Sequence, residues 1–244
     1  MKKINILFRT VAVYLGAIVF YILFVPFITI VIFFTKDKES AFLIITLLWE
    51  RCLLAVAGVK ITIKGKENLE GLSSPVVFIA NHASYFDIPI LNLSLPFGVR
   101  FVARDSLFKA PFLGWIMRNS GHFAVDRKGS RKTLKTILEV ANQVKKGLSV
   151  IVFPEGKRSD DGMIKPFKKG SLFVADRAEA LIVPVVISGS YDIMPRNCLF
   201  VNPNDIVVNI KKPFDYYACK DRYQVKMDDK EIMQKLYACM IGKD

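Results

Sequence analysis

Residues 76–87 read VVFIANHASYFD, and this segment carries the clearest structural signal in the chain. Five apolar residues, Val76 to Ala80, are followed at once by polar residues and then by a helical pattern that begins near Asp87. An apolar run of this length, bounded by a turn, is typical of a strand buried on both faces. The segment therefore predicts a strand, a turn and a helix in succession, which is the repeating unit of an α/β protein.

The same alternation continues on both sides of this segment. Strand-like runs are found at residues 60–64, 76–80, 100–103, 123–125, 149–153, 182–188 and 206–210. Helical patterns lie between or after them, at residues 87–95, 106–119, 130–146, 170–179 and 228–240. The order predicts an α/β fold with a mixed, largely parallel central sheet flanked by helices. Pro184, inside one apolar run, favours an edge strand or a bulge at that place.

The first sixty residues have a different character. From Thr10 to Thr35 there is no Asp, Glu, Lys, Arg or His, and this stretch is long enough to span a bilayer. It is too long for a secretory signal peptide and lacks a small-residue cleavage site. A second apolar stretch, at residues 41–59, is interrupted by Glu50 and Arg51, which would be costly at the centre of a bilayer.

These stretches predict a membrane-embedded helical hairpin at residues 1–59, followed by an α/β domain at residues 60–244. Partial insertion into one leaflet is favoured over two full spans because of the charged residues in the second arm. A single plain anchor helix is the alternative that the pattern leaves open.

The charge balance points to an anionic partner. The chain of 244 residues has 35 basic and 22 acidic residues, a formal charge of +13, with 52% apolar content. Nucleic acid, a phospholipid surface and a phosphorylated substrate all fit this charge, but the chain has no nucleic-acid recognition motif and the apolar N-terminus favours phospholipid. Cys52, Cys198, Cys219 and Cys239 lack zinc-site spacing and are interpreted as reduced thiols facing the cytosol. No metal and no cofactor are predicted.

His82 is the strongest candidate for a catalytic base, since the chain has only two histidines. A neutral imidazole at the end of a strand can take a proton from a hydroxyl, and a carboxylate such as Asp87 can orient it. On a continuous helix the two residues would lie ~140° apart, so the pair requires His82 in the turn and Asp87 in the first turn of the helix. The alternative for His82 is that it caps the helix or packs in the core. The alternative for Asp87 is that it is an ordinary acidic residue at a helix N-terminus, favoured by the helix dipole.

Two further strands end in arginine. Arg127 follows residues 123–126, FAVD, and Arg158 lies in residues 153–159, FPEGKRS. The guanidinium fork suits phosphate oxygens, so two arginines from separate loops could clamp a phosphate. Surface charge beside neighbouring aspartates is the alternative for each arginine taken alone.

In this order and over roughly residues 60 to 215, these segments resemble the glycerolipid acyltransferase superfamily, specifically the 1-acyl-sn-glycerol-3-phosphate acyltransferases. The matching elements are N-H-x-x-x-x-D at residues 81–87, the segment ending in Asp126 and Arg127, F-P-E-G-x-R-S at residues 153–159, and residues 183–185, VPV. Lys157 departs from the family pattern, because many relatives have threonine there.

The resemblance implies a role for each matching residue. His82 would be the general base and Asp87 its partner. Arg127 and Arg158 would hold the acceptor phosphate with Lys157 and Arg104. Glu155 would bond the glycerol backbone or position the basic groups, and Gly156 would keep the turn open.

The implied reaction moves a fatty acyl group from coenzyme A or acyl carrier protein to the 2-hydroxyl of lysophosphatidic acid, which forms phosphatidic acid. The implied location is the bilayer of the inner cell membrane, with the catalytic domain facing the cytoplasm. Other acceptors, such as glycerol 3-phosphate, a lysophospholipid or a lyso-aminolipid, are alternatives. Rivals from other classes are a hydrolase with Ser84 as nucleophile, which lacks G-x-S-x-G, and a non-catalytic lipid-binding protein. His122 has no counterpart in the motifs and is interpreted as a loop residue.

Overall fold

A seven-stranded sheet is the centre of the computed structural model, which describes residues 2–24, 26, 30, 33–72, 75–96, 98–111, 113–126, 131–214 and 229–242. The strands are β1 (Lys60–Lys64), β2 (Val76–Ala80), β3 (Arg100–Arg104), β4 (Phe123–Val125), β5 (Val150–Val152), β6 (Leu181–Ser188) and β7 (Asp205–Ile210). Each strand begins and ends within one residue of the run predicted for it.

Strand order in the sheet is β1-β7-β6-β2-β5-β3-β4. All neighbouring pairs are parallel except β6 and β7, which are antiparallel. The predicted mixed, largely parallel sheet is therefore confirmed. The carboxyl ends of β2, β3, β4, β5 and β6 meet at one edge, where ligands collect in folds of this type.

Pro184 does not lie on an edge strand, because β6 is paired with β2 on one side and β7 on the other. Its missing N–H is tolerated because pairing with β7 begins only at Val185, opposite Ile210. Before that point there is an isolated bridge between Ile182 and Phe214. The proline therefore occupies a break in the ladder, where no donor is required.

Helices cover both faces of the sheet. They are α1 (Lys2–Val19, continued by a π-helical turn at Phe20–Phe24), α2 (Lys38–Ala57), α3 (Asp87–Ser94), α4 (Asp105–Phe108), α5 (Leu113–Asn119), α6 (Arg131–Lys145), α7 (Phe173–Ala178), α8 (Ser190–Ile193) and α9 (Asp229–Ile241). Short 3₁₀ turns occur at Lys66–Leu69 and Lys169–Leu172.

The single helix predicted at residues 106–119 is wrong, since the structure has α4 and α5 with a break between them. Pro111 lies in the break, and a proline disfavours helical geometry in the residue before it. Gly114 then allows the two helices to approach, because a Cβ at this position would lie 2.1 Å from the carbonyl oxygen of Phe108.

The two faces of β2 bury side chains into two different cores. Phe78 and Ala80 pack with residues of α1, α2 and α3, including Ile90. Val77 and Ile79 pack with residues of α6, α7 and α9. Every residue of β2 is buried, as the unbroken apolar run indicated.

The two N-terminal helices lie against each other. Phe20 at the end of α1 stacks on Trp49 of α2 with ring centroids 4.1 Å apart. Arg9 Nη1 donates a hydrogen bond of 2.9 Å to the carbonyl of Val56. The predicted pair of apolar helices is confirmed. The segments Lys3–Leu23 and Lys38–Ala57 are both long and apolar enough to cross a membrane.

These two helices pack directly against the sheet. Val13 of α1 and Leu54 of α2 belong to the same buried cluster as Phe78 of β2. Glu50 is buried, and its Oε1 accepts a hydrogen bond of 2.7 Å from the side chain of Asn92 in α3. The acidic residue that interrupts the second apolar stretch therefore faces the α/β domain. The division at residues 59 and 60 remains a prediction, but the hydrophobic core runs across it.

Candidate active site

His82 and Asp87 form a hydrogen-bonded pair at the carboxyl end of β2. His82 lies in the turn after the strand, and α3 begins at Asp87, which is the placement that the five-residue separation requires. His82 Nδ1 and Asp87 Oδ2 are 2.8 Å apart. Asp87 is completely buried, while 18% of the His82 side chain is exposed. The pair therefore has a protected carboxylate and an imidazole that a substrate can reach.

This contact determines which imidazole nitrogen is available for chemistry. A carboxylate oxygen can only accept, so Nδ1 carries the proton and donates to Asp87. Nε2 then keeps its lone pair and can take a proton from a substrate hydroxyl. The arrangement suits a general base that is oriented by an acid, as in the serine hydrolases.

The ring and the backbone of His82 are both held in place. The imidazole stacks on Phe153, with centroids 4.1 Å apart and an angle of 18° between the planes. The backbone N–H of His82 donates to Glu155 Oε1 at 2.8 Å, and its carbonyl accepts from the N–H of Ser159 at 2.7 Å. The N–H and the carbonyl of His82 thus both attach the turn after β2 to the loop after β5.

Glu155 was expected to bond the glycerol backbone or to position the basic groups, and its contacts favour the second role. Its side chain is buried, with Oε1 on the N–H of His82 and Oε2 on the N–H of Lys165 at 2.9 Å. Burial raises the pKa of Glu155, and the two backbone donors act in the opposite direction. Both oxygens join segments of the protein, so the structure gives this residue a positioning role.

Arg158 lies beside the base and carries a free guanidinium edge. Its Cζ is 3.5 Å from the centre of the Tyr85 ring, so the flat face of the cation stacks on the aromatic ring. Within the described parts of the chain, no carboxylate pairs with this arginine. Stacking occupies one face of the guanidinium. Its N–H groups lie in the plane of the group and can still bind a phosphate.

The other predicted cations have different surroundings. Lys157 is exposed, and its Nζ is 3.0 Å from Asp160 Oδ2, so its charge is already partnered. Arg104 is exposed at the end of β3, at the same sheet edge as His82 but two strands away. Arg127 lies outside the described residues. Gly156 has a φ of 71°, the left-handed conformation that favours glycine.

His122 does not belong to this site, in agreement with its interpretation as a loop residue. It lies just before β4, and its Nδ1 accepts a hydrogen bond of 3.2 Å from the N–H of Phe101. Burial, reinforced by the positive charge of Arg100, lowers the pKa of His122 to about 4. The imidazole is therefore neutral and has a structural role.

Ser84 is not placed as a nucleophile. The side chain is fully buried, and its Oγ donates to the carbonyl of Met194 at 3.1 Å. Asn81 also has a structural role, because its amide makes two hydrogen bonds, of 2.9 and 2.7 Å, to the carbonyl and N–H of Ile187. It continues the pairing of β2 with β6 beyond the end of the strand.

Tyr85 and Phe153 are contributors that the sequence reasoning missed. Both are aromatic residues inside the recognised segments, and that position was the available signal. Phe153 stacks on the His82 imidazole, and Tyr85 stacks on the Arg158 guanidinium. Each contact joins two loops, and the order of residues in the sequence does not show which loops meet.

The described residues contain no group of three or more His, Cys, Asp or Glu side chains arranged to hold a metal ion. Cys52, Cys198 and Cys239 form no disulfide bond, and Cys219 lies outside the described residues.

Comparison with known proteins shows which family shares this arrangement. The family model described as Acyltransferase matches residues 60–188, from the start of β1 to the end of β6. The chain belongs to the acyltransferase family. The match contains β2, the His82 turn and the loop after β5, so all of the geometry described above falls within the family domain.

Several acyltransferases of known name are similar to the chain. A chloroplastic 1-acyl-sn-glycerol-3-phosphate acyltransferase of Brassica napus is 34% identical over 199 residues, which are 81% of this chain and 57% of the relative. The 1-acyl-sn-glycerol-3-phosphate acyltransferase of Saccharomyces cerevisiae is 36% identical over 64% of this chain and 52% of its own length. This chain thus spans about half the length of the curated relatives that it matches.

A solved structure agrees over nearly the whole chain. The 1-acyl-sn-glycerophosphate (LPA) acyltransferase PlsC from Thermotoga maritima superposes with a TM-score of 0.81 and 26% identity, and the match covers 98% of this chain and 95% of PlsC. The coverage includes the N-terminal helices, so these helices are shared as well as the α/β domain.

Proposed function

We propose that this chain transfers a fatty acyl group from a thioester to the 2-hydroxyl of 1-acyl-sn-glycerol 3-phosphate, forming phosphatidic acid for phospholipid synthesis. The donor is acyl-coenzyme A or acyl carrier protein. The acceptor follows from the names of the relatives together with the cations beside the base. No bound cofactor is required for this reaction.

The observation that supports the proposal most strongly is the pair of His82 and Asp87, with the free guanidinium edge of Arg158 on the adjoining loop. Hydrogen bonds to Glu155 and Ser159 hold that loop against the His82 backbone. A base and an unpartnered cation are therefore held in one fixed arrangement. An acceptor that carries a phosphate and a free hydroxyl fits both groups.

In the proposed mechanism, His82 acts directly on the acceptor. Nε2 takes the proton of the 2-hydroxyl as its oxygen attacks the carbonyl carbon of the thioester, and the C–O bond forms. Asp87 stabilises the imidazolium through the proton on Nδ1. The C–S bond then breaks, and the imidazolium returns the proton to the departing thiolate, so the free thiol and neutral His82 are regenerated.

The acceptor phosphate is held by Arg158, with contributions from Arg104 at the end of β3 and from Arg127, which follows β4 in sequence. Lys157 contributes less than its position beside Arg158 suggested, because Asp160 already partners its ammonium. Glu155 and Gly156 shape the turn that carries Arg158. Binding by these groups holds the hydroxyl at Nε2, and such positioning accounts for much of the rate of group transfer.

The N-terminal helices attach the enzyme to the bilayer that holds its acceptor. The exposed side of α1 is a continuous apolar stripe formed by Ile4, Leu7, Phe8, Val11, Leu15 and Ile18. Its opposite side packs against the α/β domain through Val13. This one-sided packing supports insertion into one leaflet. We assign the enzyme to the inner cell membrane with its active site facing the cytoplasm, because basic residues precede the first apolar helix.

Acyl transfer to lysophosphatidic acid by detergent-purified protein tests the proposal, with acyl-coenzyme A and acyl carrier protein thioester offered in parallel. Wild-type protein is expected to form phosphatidic acid, and His82→Ala is expected to lose at least about 100-fold of that activity, since general base catalysis contributes 10²–10⁴-fold. Ser84→Ala, in the same turn, is expected to keep most of its kcat.

The controls separate the alternatives. Equal losses in Ser84→Ala and His82→Ala would indicate a covalent serine mechanism. Product from another lyso-lipid but none from lysophosphatidic acid would reassign the acceptor. Full activity in His82→Ala would refute the proposed base, and no product from any acceptor would favour a lipid-binding protein.

A further inference from the structure

Lys168 lies across the turn formed by Gly156. A Cβ at position 156 would be 2.8 Å from Lys168 Nζ and 3.0 Å from its Cδ and Cε. The backbone N–H of Lys168 donates to the carbonyl of Pro154 at 3.0 Å. The lysine side chain therefore occupies the space that any side chain at position 156 would need, in the loop that also carries Arg158.

The ammonium of Lys168 differs from its neighbours in having no acid beside it. Lys157 pairs with Asp160, and Lys165 pairs with Asp161. Among the residues for which coordinates are described, no carboxylate forms an ion pair with Lys168. Arg158 likewise forms no ion pair with any described carboxylate. Asp160 thus pairs with Lys157 and Arg196, and Asp161 pairs with Lys165, whereas Arg158 and Lys168 form no ion pair among the side chains that the structure describes.

The segment that carries Lys168 is attached to the catalytic base. The N–H of Lys165 donates to Glu155 Oε2, and Glu155 Oε1 accepts from the N–H of His82. One buried carboxylate therefore joins the turn of the base to the segment at residues 165–168. The position of Lys168 relative to His82 is set by the same contacts that hold the base.

We infer that Lys168 is a second cation of the acceptor site and binds the phosphomonoester together with Arg158. This inference rests on the proposed function. A phosphomonoester carries −1.5 to −2 charges near neutral pH, more than one guanidinium neutralises. Arginine supplies a planar fork, and lysine supplies a compact point charge that reaches the remaining oxygen.

The inference also gives Gly156 a second purpose. The positive φ already favours glycine there, and the absence of a side chain leaves room for the Lys168 stem to lie over the turn. A residue with a Cβ at position 156 would move the ammonium out of the site. The glycine and the lysine thus act as one unit, although they are twelve residues apart in sequence.

Lys168→Met tests the inference because it keeps an unbranched apolar stem over Gly156 and removes the charge. The acceptor KM is expected to rise roughly tenfold or more, because a charge-assisted hydrogen bond to the phosphate is lost, with kcat within about twofold of the wild type. Lys168→Arg, which retains the charge, is expected to restore most of the affinity. Lys165→Met is the matched control from the same loop, because Asp161 already holds its ammonium.

Arg158→Ala serves as the benchmark that separates the two proposals. If Arg158→Ala raises the acceptor KM while Lys168→Met and Lys165→Met both behave as wild type, Lys168 is not part of the site and the proposed function stands. An equal rise in Lys168→Met and Lys165→Met would show a general charge effect and would also overturn the inference. If the wild type does not acylate lysophosphatidic acid, both proposals fail.

Discussion

Asp87 serves the backbone as well as the base. Its Oδ2 accepts from His82 Nδ1 and also from the N–H groups of Ala83 and Ser84, at 2.7 and 2.9 Å. These contacts bend the chain from β2 into α3 around one buried carboxylate. The residue that orients the imidazole is therefore the same residue that shapes the turn presenting it.

Tyr85 lies between the base and its partner in sequence, and its ring supports the cation that we assign to the phosphate. Replacing Tyr85 with alanine is expected to raise the acceptor KM roughly twofold to fivefold with kcat nearly unchanged, because an exposed cation–π contact contributes about 0.5–1 kcal/mol. Tyr85→Phe keeps the ring and is expected to behave as wild type. Steady-state kinetics with varied lysophosphatidic acid measures the effect.

A double-mutant cycle shows whether Tyr85 acts through Arg158. If it does, Tyr85→Ala has no further effect on the acceptor KM once Arg158 is alanine. The same rise in both backgrounds would contradict the positioning role and indicate that the tyrosine contacts the acceptor itself.

At the scale of elements, β3 and β4 are joined by a histidine that must stay neutral. His122 Nδ1 accepts from the N–H of Phe101, and the two rings meet edge to face with centroids 5.4 Å apart. Protonation would remove this acceptor and place a second positive charge beside Arg100. Burial and that charge are the reasons why the pKa of His122 falls to about 4.

Acidification is therefore expected to destabilise the fold through His122. Between pH 6.5 and 4 the unfolded histidine binds a proton and the folded one does not, so the free energy of unfolding falls as the pH falls. From pH 7 to 5 the loss amounts to about 2 kcal/mol, given an unfolded pKa near 6.5. The His122 contribution is measured as the difference between the pH profiles of thermal unfolding of the wild type and of a variant that does not titrate at this position.

His122→Asn provides the comparison, because the asparagine oxygen can accept from Phe101 without titrating. The variant is expected to lose less stability than the wild type between pH 7 and 5. Parallel pH profiles for the two proteins would show that another group is responsible.

At the scale of the whole molecule, one face of the sheet carries the apolar surface that we assign to membrane attachment. The loop at residues 199–201 contacts α1 directly, since Tyr14 donates to the carbonyl of Leu199 at 3.2 Å and Thr10 Oγ1 accepts from the N–H of Val201 at 2.9 Å. Leu199 and Phe200 are both exposed. The apolar stripe of α1 therefore continues onto the α/β domain, whereas α6 covers the opposite face of the sheet.

Spin labels placed on the two faces test this orientation in phospholipid vesicles. With the four cysteines replaced, labels at Phe8 and Leu199 are expected to be accessible to oxygen and protected from a polar relaxation agent. A label at Leu134, an exposed leucine of α6, is expected to show the reverse. An aqueous label at Phe8 would refute attachment through α1, and an aqueous label at Leu199 alone would limit the contact to the helices.

Much of this protein was predictable from local sequence. Unbroken apolar runs predict buried strands because both faces of a parallel sheet are covered. The helical pair and the placement of His82 before Asp87 likewise depend on residues close together in the chain. Local rules were less successful at Ala110 and Pro111, where the structure has two short helices in place of the one that was predicted. At Pro184 the edge-strand alternative fails, and the irregular pairing fits the alternative of a bulge.

The partners of the charged groups were decided only by the tertiary structure. Sequence alone supplied His82, Asp87 and Arg158 as candidates, because each residue type has a suitable chemistry at the end of a strand. It did not show that Glu155 holds the His82 backbone, that Asp160 partners Lys157, or that Lys168 lies over Gly156. The physical reason is that local sequence determines whether a segment becomes strand or helix, whereas ion pairs and hydrogen bonds form between loops that only the assembled sheet brings together.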